Sequence, residues 1–339
     1  MLTEQHTASV TEVEQRGMPR AVFVCILVCA APALLAGWFF GSIPEAGHLQ
    51  QALLNAAHFP LFAALAITTP LLLKVVGPPP LARGHRNYII SSLILALLAI
   101  GTEALQLLIA ERVASLADVT VNLLGAAAGL AGFALWDDDA PRIVRSRAGR
   151  MVLLAAVLAT TAIIAIPLGV VVSAHAKRAM DFPVLLQFDG RLDQVLITAR
   201  NAHTSLTRLP PEWSLPEDGN SLRVGLQPGR YSGITVVAPR ENWRGYDHLV
   251  LDLTNPGAVT LPLTLRINDA EHDERYADRL NHALALAPRT RSRFEIPLDQ
   301  IRDAPANRQM DLGRISTLIL FSTHGSTDLA FHVTRIELR

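Results

Sequence analysis

The chain has 339 residues, half of them hydrophobic, with 30 Lys plus Arg balanced by 30 Asp plus Glu. That balance offers no basic stripe for nucleic acid. The two cysteines, Cys25 and Cys29, lie four apart in one apolar stretch, which excludes a disulfide scaffold and gives no metal-ligand spacing.

Residues 1–20 form a short polar segment carrying Arg16 and Arg20. Five apolar stretches follow, at 21–40, 58–77, 88–110, 116–136 and 151–173, each close to the roughly 20 residues that a helix needs to cross hydrocarbon. The first has basic residues ahead of it and small residues within it, as a signal peptide does. Its run is longer than a signal core, however, and ends in Trp38, Phe39 and Phe40, aromatics that suit a membrane interface, so a retained span is expected. Residues 21–176 therefore read as a transmembrane bundle.

Orientation follows from Arg and Lys in the short connections, because basic residues resist translocation. The segment before the first span has Arg16 and Arg20, the second connection has Arg83 and Arg86, and the fourth has Arg142, Arg145, Arg147 and Arg150. The first connection has none and the third has only Arg112. This alternation predicts a cytoplasmic amino terminus and an extracytoplasmic carboxyl-terminal domain, in a multi-pass protein of a bacterial inner membrane. Lys177 and Arg178 on the outer side run against it mildly, but long domains translocate largely regardless of flanking charge.

The few polar residues of the bundle gather toward its predicted outer face. His58 opens the second span, Glu103 and Gln106 lie three apart near the outer end of the third, and Arg112 follows in the short loop. Asp118 and Asn122 lie four apart at the start of the fourth, with Gly125, Gly129 and Gly132 continuing inward. Spacings of three and four share one helix stripe. The glycines are explained by close helix packing. An ionisable group at membrane depth is costly unless paired or hydrated, so the carboxylates point to function, against the alternative of a hydrogen-bonded network that only locks the helices.

The ordered residues His58-Phe59, Glu103-x-x-Gln106 and Arg112-x-x-Ser115-x-x-Asp118-x-x-x-Asn122-x-x-Gly125-x-x-x-Gly129 resemble the VanZ-like family of bacterial membrane proteins, over about residues 58–136. Where that family often carries a Lys shortly before the His, this chain has Asn55 and Ala56. The resemblance implies an envelope role without naming a reaction. A cluster of His58, Glu103, Arg112 and Asp118, supported by Gln106 and Asn122, would suit a phosphate or pyrophosphate head group, with Arg112 as clamp and His58 or Glu103 moving protons. No nucleophile elbow, phosphate-cradling glycine loop or zinc spacing occurs, and no metal or cofactor is expected.

From Asp181 onward the chain has eighteen Arg, twenty Asp plus Glu and no Lys, and reads as one domain of residues 181–339. Strand-like runs occur at 183–188, 221–226, 234–238, 249–253, 261–267, 293–296, 317–321 and 329–338, separated by turns such as Gln227-Pro228-Gly229 and Asn255-Pro256-Gly257. These predict an antiparallel β-sandwich of the jelly-roll kind. The segment Trp243 to Leu253, with Leu265 to Asp269 and Ile315 to Phe321, resembles the galactose-binding-like sandwiches used as carbohydrate-binding modules. That resemblance implies sugar binding by a stacked aromatic ring with polar side chains bonding the hydroxyls.

The polar insertion 269–281 supplies candidates in Asp273, Tyr276, Arg279 and Asn281, with a solvated loop of Arg–Asp pairs as the plainer alternative. Trp213, Trp243 and Tyr246 read equally as packing, and His272 and His282 fit no ligand spacing. The sequence thus predicts a membrane-bound accessory protein of envelope polysaccharide metabolism, with the lipid bilayer and an envelope or lipid-linked glycan as partners and protein partners unspecified. A membrane hydrolase or transferase acting on polyprenyl-linked sugar phosphate and a structural anchor for a protein-interaction module stand as alternatives, so whether the bundle is catalytic is left open.

Overall fold

A computed structural model describes residues 48–106, 115–216, 218–237, 242–323 and 325–339. The expected span 21–40 lies outside them. Among the described residues four helices are long and apolar enough to cross a membrane: α1 (His48–Val76), α2 (Gly84–Gln106), α3 (Leu116–Trp136) and α4 (Arg147–Asp181). The helices outrun the apolar spans read from sequence. α1 begins ten residues ahead of His58, because Ala52, Leu53, Leu54, Ala56 and Ala57 are good helix formers, so His58 sits well inside the helix. Likewise α4 extends past residue 173 through Ala174 to Asp181.

The chain divides into two compact units, with breaks in α1 between Ala52 and Leu53 and in α4 between Ile166 and Pro167. In the first, Phe62, Leu65 and Ala66 of α1, Leu95 and Ala99 of α2 and Ala126 of α3 form the core. Gly125 and Gly129 bring α3 against α1 backbone to backbone: a Cβ on Gly125 would lie 2.4 Å from the Phe59 carbonyl oxygen, and one on Gly129 would lie 2.2 Å from that of Ala63. Gly132 belongs to the same sequence stripe, but a Cβ there would meet nothing within 4 Å. Lys74, in the last turn of α1, pairs with Asp137 just past the end of α3 and, at 3.1 Å, with Asp139, while the Tyr88 hydroxyl donates to Asp137 at 2.8 Å. This second polar cluster escaped the sequence reading, which had treated Lys74 as part of an apolar span.

Among the described residues the second unit contains eleven strands: β1 (Val184–Leu186), β2 (Ile197–Arg200), β3 (Ala202–Thr207), β4 (Ser221–Leu226), β5 (Ser232–Val237), β6 (His248–Asn255), β7 (Leu261–Asp269), β8 (Leu280–Leu286), β9 (Thr290–Pro297), β10 (Ile315–Ser322) and β11 (Ala330–Leu338). They form two antiparallel sheets, ordered β3-β4-β11-β6-β9 with β1 also on β11, and β2-β5-β10-β7-β8. Alternation drives the assembly, since successive side chains of a strand face opposite ways. Leu249, Leu251 and Leu253 of β6 and Leu261, Leu263, Leu265 and Ile267 of β7 all point into one core, joined there by Trp243, Leu318, Leu320 and Phe331. The sandwich expected from the sequence is therefore present, with two sheets of six and five strands.

Candidate functional site

Within the first unit, three of the residues singled out in the sequence converge. His58 and Glu103 are buried, Asp118 is half-buried, and their imidazole and carboxylate ligand atoms all lie within 4.8 Å of one another. Each position has a local reason. Asp118 stands in the first turn of α3, where a carboxylate faces the exposed N–H groups, and Ser115 caps the same helix by accepting from the Ala117 N–H at 3.1 Å. Glu103, near the end of α2, accepts from the Ser115 N–H at 3.3 Å. His58 Nδ1 and the Asn122 side-chain oxygen Oδ1 are 3.0 Å apart, an arrangement that leaves Nε2 as the other functional nitrogen. The glycine contacts one and two turns along α3 hold α1 at that distance. A His and two carboxylates so placed can exchange a proton or take a cation. Arg112 and the side chain of Gln106 lie outside the described residues.

In the second unit, the face of the β2-β5-β10-β7-β8 sheet turned away from the core forms a groove with a cavity of about 290 Å³, near the lower end of the roughly 300–1,000 Å³ typical of ligand pockets. Strand alternation builds it. Ile234, Leu265, Leu318 and Leu320 point into the core, so Arg200, Thr235, Arg266, Ile319 and Phe321 point the other way. Register sets them in rows: Arg200 opposes Gly233, which opposes Phe321, while Thr235 opposes Ile319, which opposes Arg266 and then Asn281. Tyr231 closes one side, its ring edge-on to Phe321 at 5.3 Å with the Arg200 guanidinium 5.8 Å above it. Tyr231 has φ of 59°, a left-handed conformation that costs a bulky residue about 1–2 kcal/mol. Such strain tends to collect where a side chain must be aimed.

The insertion candidates divide. Arg279 lines the groove, lies 5.2 Å from the Tyr276 ring and donates from Nε to Asn281 Oδ1 at 3.3 Å; Asn281 donates in turn to the Tyr276 carbonyl oxygen at 3.3 Å. Tyr276, Arg279 and Asn281 thus form one linked group. Asp273 does not join it, because its carboxylate accepts from the Arg275 N–H at 3.0 Å and stabilises its own turn. Arg308, not singled out in the sequence, fixes the insertion: it grips Asp269 at 2.6 and 2.7 Å and Asp278 at 2.6 and 2.9 Å. Burial opposes ionisation of Asp269, but Arg308 and the Asp311 N–H outweigh it and hold the carboxyl below its usual range; Arg308 holds that of Asp278 far lower still.

Asp273 and Asp278 also approach His272 closely enough to suggest a cation site. Their atoms are already engaged. His272 Nδ1 is 2.8 Å from the Asp278 carbonyl oxygen, His272 Nε2 is 3.2 Å from Arg266 Nη2, and the Asp278 carboxylate is held by Arg308. Of the aromatics left ambiguous by the sequence, Trp243 is fully buried in the core, Tyr246 packs against it and meets Phe182 edge-on at 5.4 Å, and Trp213 donates to the Arg289 carbonyl oxygen at 3.2 Å. The groove aromatics, Tyr231 and Phe321, were missed. One follows a Gly-Arg turn and the other ends an apolar strand, and only the pairing of β5 with β10 brings them together.

The VanZ/LLP1 family model matches residues 11–137. No curated protein matches the chain. Solved structures similar to it include an exo-β-agarase at 16% identity and TM-score 0.37, covering 46% of this chain and 24% of that one. A family 11 carbohydrate-binding module from Clostridium thermocellum, solved with a β-1,3-1,4-mixed-linked tetrasaccharide, is 16% identical with TM-score 0.34, covering 46% and 93%. A family 30 module from the same organism is 12% identical with TM-score 0.30, covering 42% and 89%. The chain thus spans about a quarter of the agarase it matches.

Proposed function

From the premise that this is a membrane protein with a VanZ-like region at residues 11–137 and a carboxyl-terminal β-sandwich, we propose that it is an accessory protein of bacterial envelope polysaccharide metabolism whose sandwich binds a glycan. It sits in the inner membrane with its amino terminus cytoplasmic and the sandwich outside. The Arg residues at 83, 86, 142, 145, 147 and 150 support this orientation, since they fall in alternate connections.

The observation that carries the reading is the groove on the β2-β5-β10-β7-β8 sheet. It combines a half-exposed Tyr231 ring, suited to stacking on a sugar face, with Thr235, Arg200 and Arg279 as hydroxyl partners on a rigid strand floor. The His58–Glu103–Asp118 cluster supports a role at the same membrane face for the charged head group of a lipid-linked glycan. Tethering the sandwich to the bundle would raise the local concentration of such a ligand without any new contact.

The test is binding of the full-length protein in nanodiscs to a panel of immobilised bacterial capsular and exopolysaccharides. Saturable binding is expected, weakened up to about tenfold by Tyr231→Ala through loss of the stacked ring and unchanged in Arg223→Gln, on the other sheet. Binding that survives Tyr231→Ala undiminished removes the groove from the account, and a folded protein that binds nothing on the panel removes the glycan.

A further inference from the structure

Resting on the reading of the groove as a glycan site, we infer that its ligand is an acidic glycan, one that offers carboxylate, sulfate or phosphate oxygens to Arg200, Arg266 and Arg279. Among the described residues three guanidinium groups line this cavity and no carboxylate does. The opposite sheet shows what the same domain does with structural arginines. There Arg291 is held by Asp218 and Asp252, while Arg293, Arg335 and Arg339 all reach Glu337.

The groove arginines lack such partners among the described residues. Among the described residues Arg200 makes its ring contact with Tyr231 and no ion pair, and Arg279 meets the Tyr276 ring and the Asn281 amide. Arg266 has His272 Nε2 at 3.2 Å from its Nη2 and a carboxylate only in Glu274, at 4.0 Å and 87% exposed; its Nε is buried without a hydrogen-bond partner. The acids of the adjoining insertion, Asp269 and Asp278, are both committed to Arg308. Burial and the like charge of Arg279 together disfavour the charged form of Arg266.

Like charges held together beside a cavity are stabilised by an anion between them. Two of the three guanidinium groups already lie against aromatic rings, which limits their freedom and leaves their N–H edges for a forked acceptor. Carboxylate, sulfate and phosphate groups match that fork, whereas sugar hydroxyls match it less well.

The experiment is an array of uronate-bearing, sulfated, phosphorylated and neutral glycans probed with the full-length protein. Each acidic glycan is printed beside its carboxyl-reduced, desulfated or dephosphorylated form. The expected result is binding to an acidic glycan that falls about tenfold or more when its charges are removed, weakens with added salt, and is lost in Arg266→Gln/Arg279→Gln. Arg200→Gln, on an exposed strand end, gives the same direction of effect should the double variant fail to fold. Equal binding before and after charge removal, or binding to neutral glycans alone, overturns the inference and leaves the glycan reading standing. Binding to no glycan by folded protein overturns both.

Discussion

Replacing Arg308 with alanine is expected to cost the sandwich about 3–5 kcal/mol, the loss that follows when a buried charge is left without its partner. Asp269 is the reason. Its side chain is fully buried at the end of β7, and two of its hydrogen bonds come from Arg308. For a unit of this size the loss corresponds to a fall of about 6–20 °C in the melting temperature of the purified protein. Arg308→Lys keeps the charge but loses the double fork on Asp269 and Asp278, so an intermediate fall is expected.

The pH dependence gives the cause. In the native protein both carboxyls titrate below their ordinary value of 3.8, so the stability they contribute is full above that value and is lost as pH falls through the depressed folded values. In Arg308→Ala the burial of Asp269 acts with less opposition and raises its carboxyl. Protonation then relieves the variant, and the deficit against the native protein should begin to shrink above about pH 4, as pH falls through the raised value, and go on shrinking below it. Thermal melts of both proteins from pH 7 to 3 check this; a deficit that is constant across that range would mean that the loss is one of packing and not of charge.

The second large effect is expected in the bundle. Gly129→Leu places a side chain where even a Cβ would lie 2.2 Å from the Ala63 carbonyl oxygen and 2.8 Å from its Cα, so α1 and α3 cannot keep their approach. Overpacking of side chains costs about 1–3 kcal/mol, and here the obstruction is backbone that cannot rotate away. The folded bundle should be largely lost, read as a collapse of the monodisperse peak in detergent. Gly132→Leu, one turn further on and facing open space, should leave that peak intact. An equal loss in both variants would mean that the stripe acts through helix propensity and not through the contact with α1.

The two-fold and four-fold periodicities carried most of the architecture, because burial imposes them directly on the sequence. The eight expected strand runs all fall on strands, and the strands they left out, β2, β3 and β8, are all at sheet edges. An edge strand is covered on fewer sides and can afford Thr198, Arg200, His203, Thr204 and Ser205, which erase the apolar signal. In the bundle, Asp118, Asn122, Gly125 and Gly129 were legible as a stripe of α3 because helix spacing is local. Lys74 was not, because its partners Asp137 and Asp139 are more than sixty residues away.

The groove was legible only in its loop. Tyr276, Arg279 and Asn281 stand in a polar insertion that advertises itself, whereas Arg200, Tyr231, Arg266 and Phe321 come from four separate stretches of chain and meet through strand pairing alone. Arg308 was hidden for the same reason, being 39 residues from Asp269 in a segment with no pattern of its own.

The central claim is that a glycan occupies the groove lined by Arg200, Arg266 and Arg279, and arginine-selective footprinting of the full-length protein with phenylglyoxal tests it most directly. In the presence of a bound polysaccharide, mass spectrometry should show reduced modification at Arg200 and Arg279, while Arg223 and Arg335 on the other sheet stay unchanged. Protection of Arg223 or Arg335 instead, or unaltered reactivity at Arg200 and Arg279 when the polysaccharide is demonstrably bound, would contradict the account.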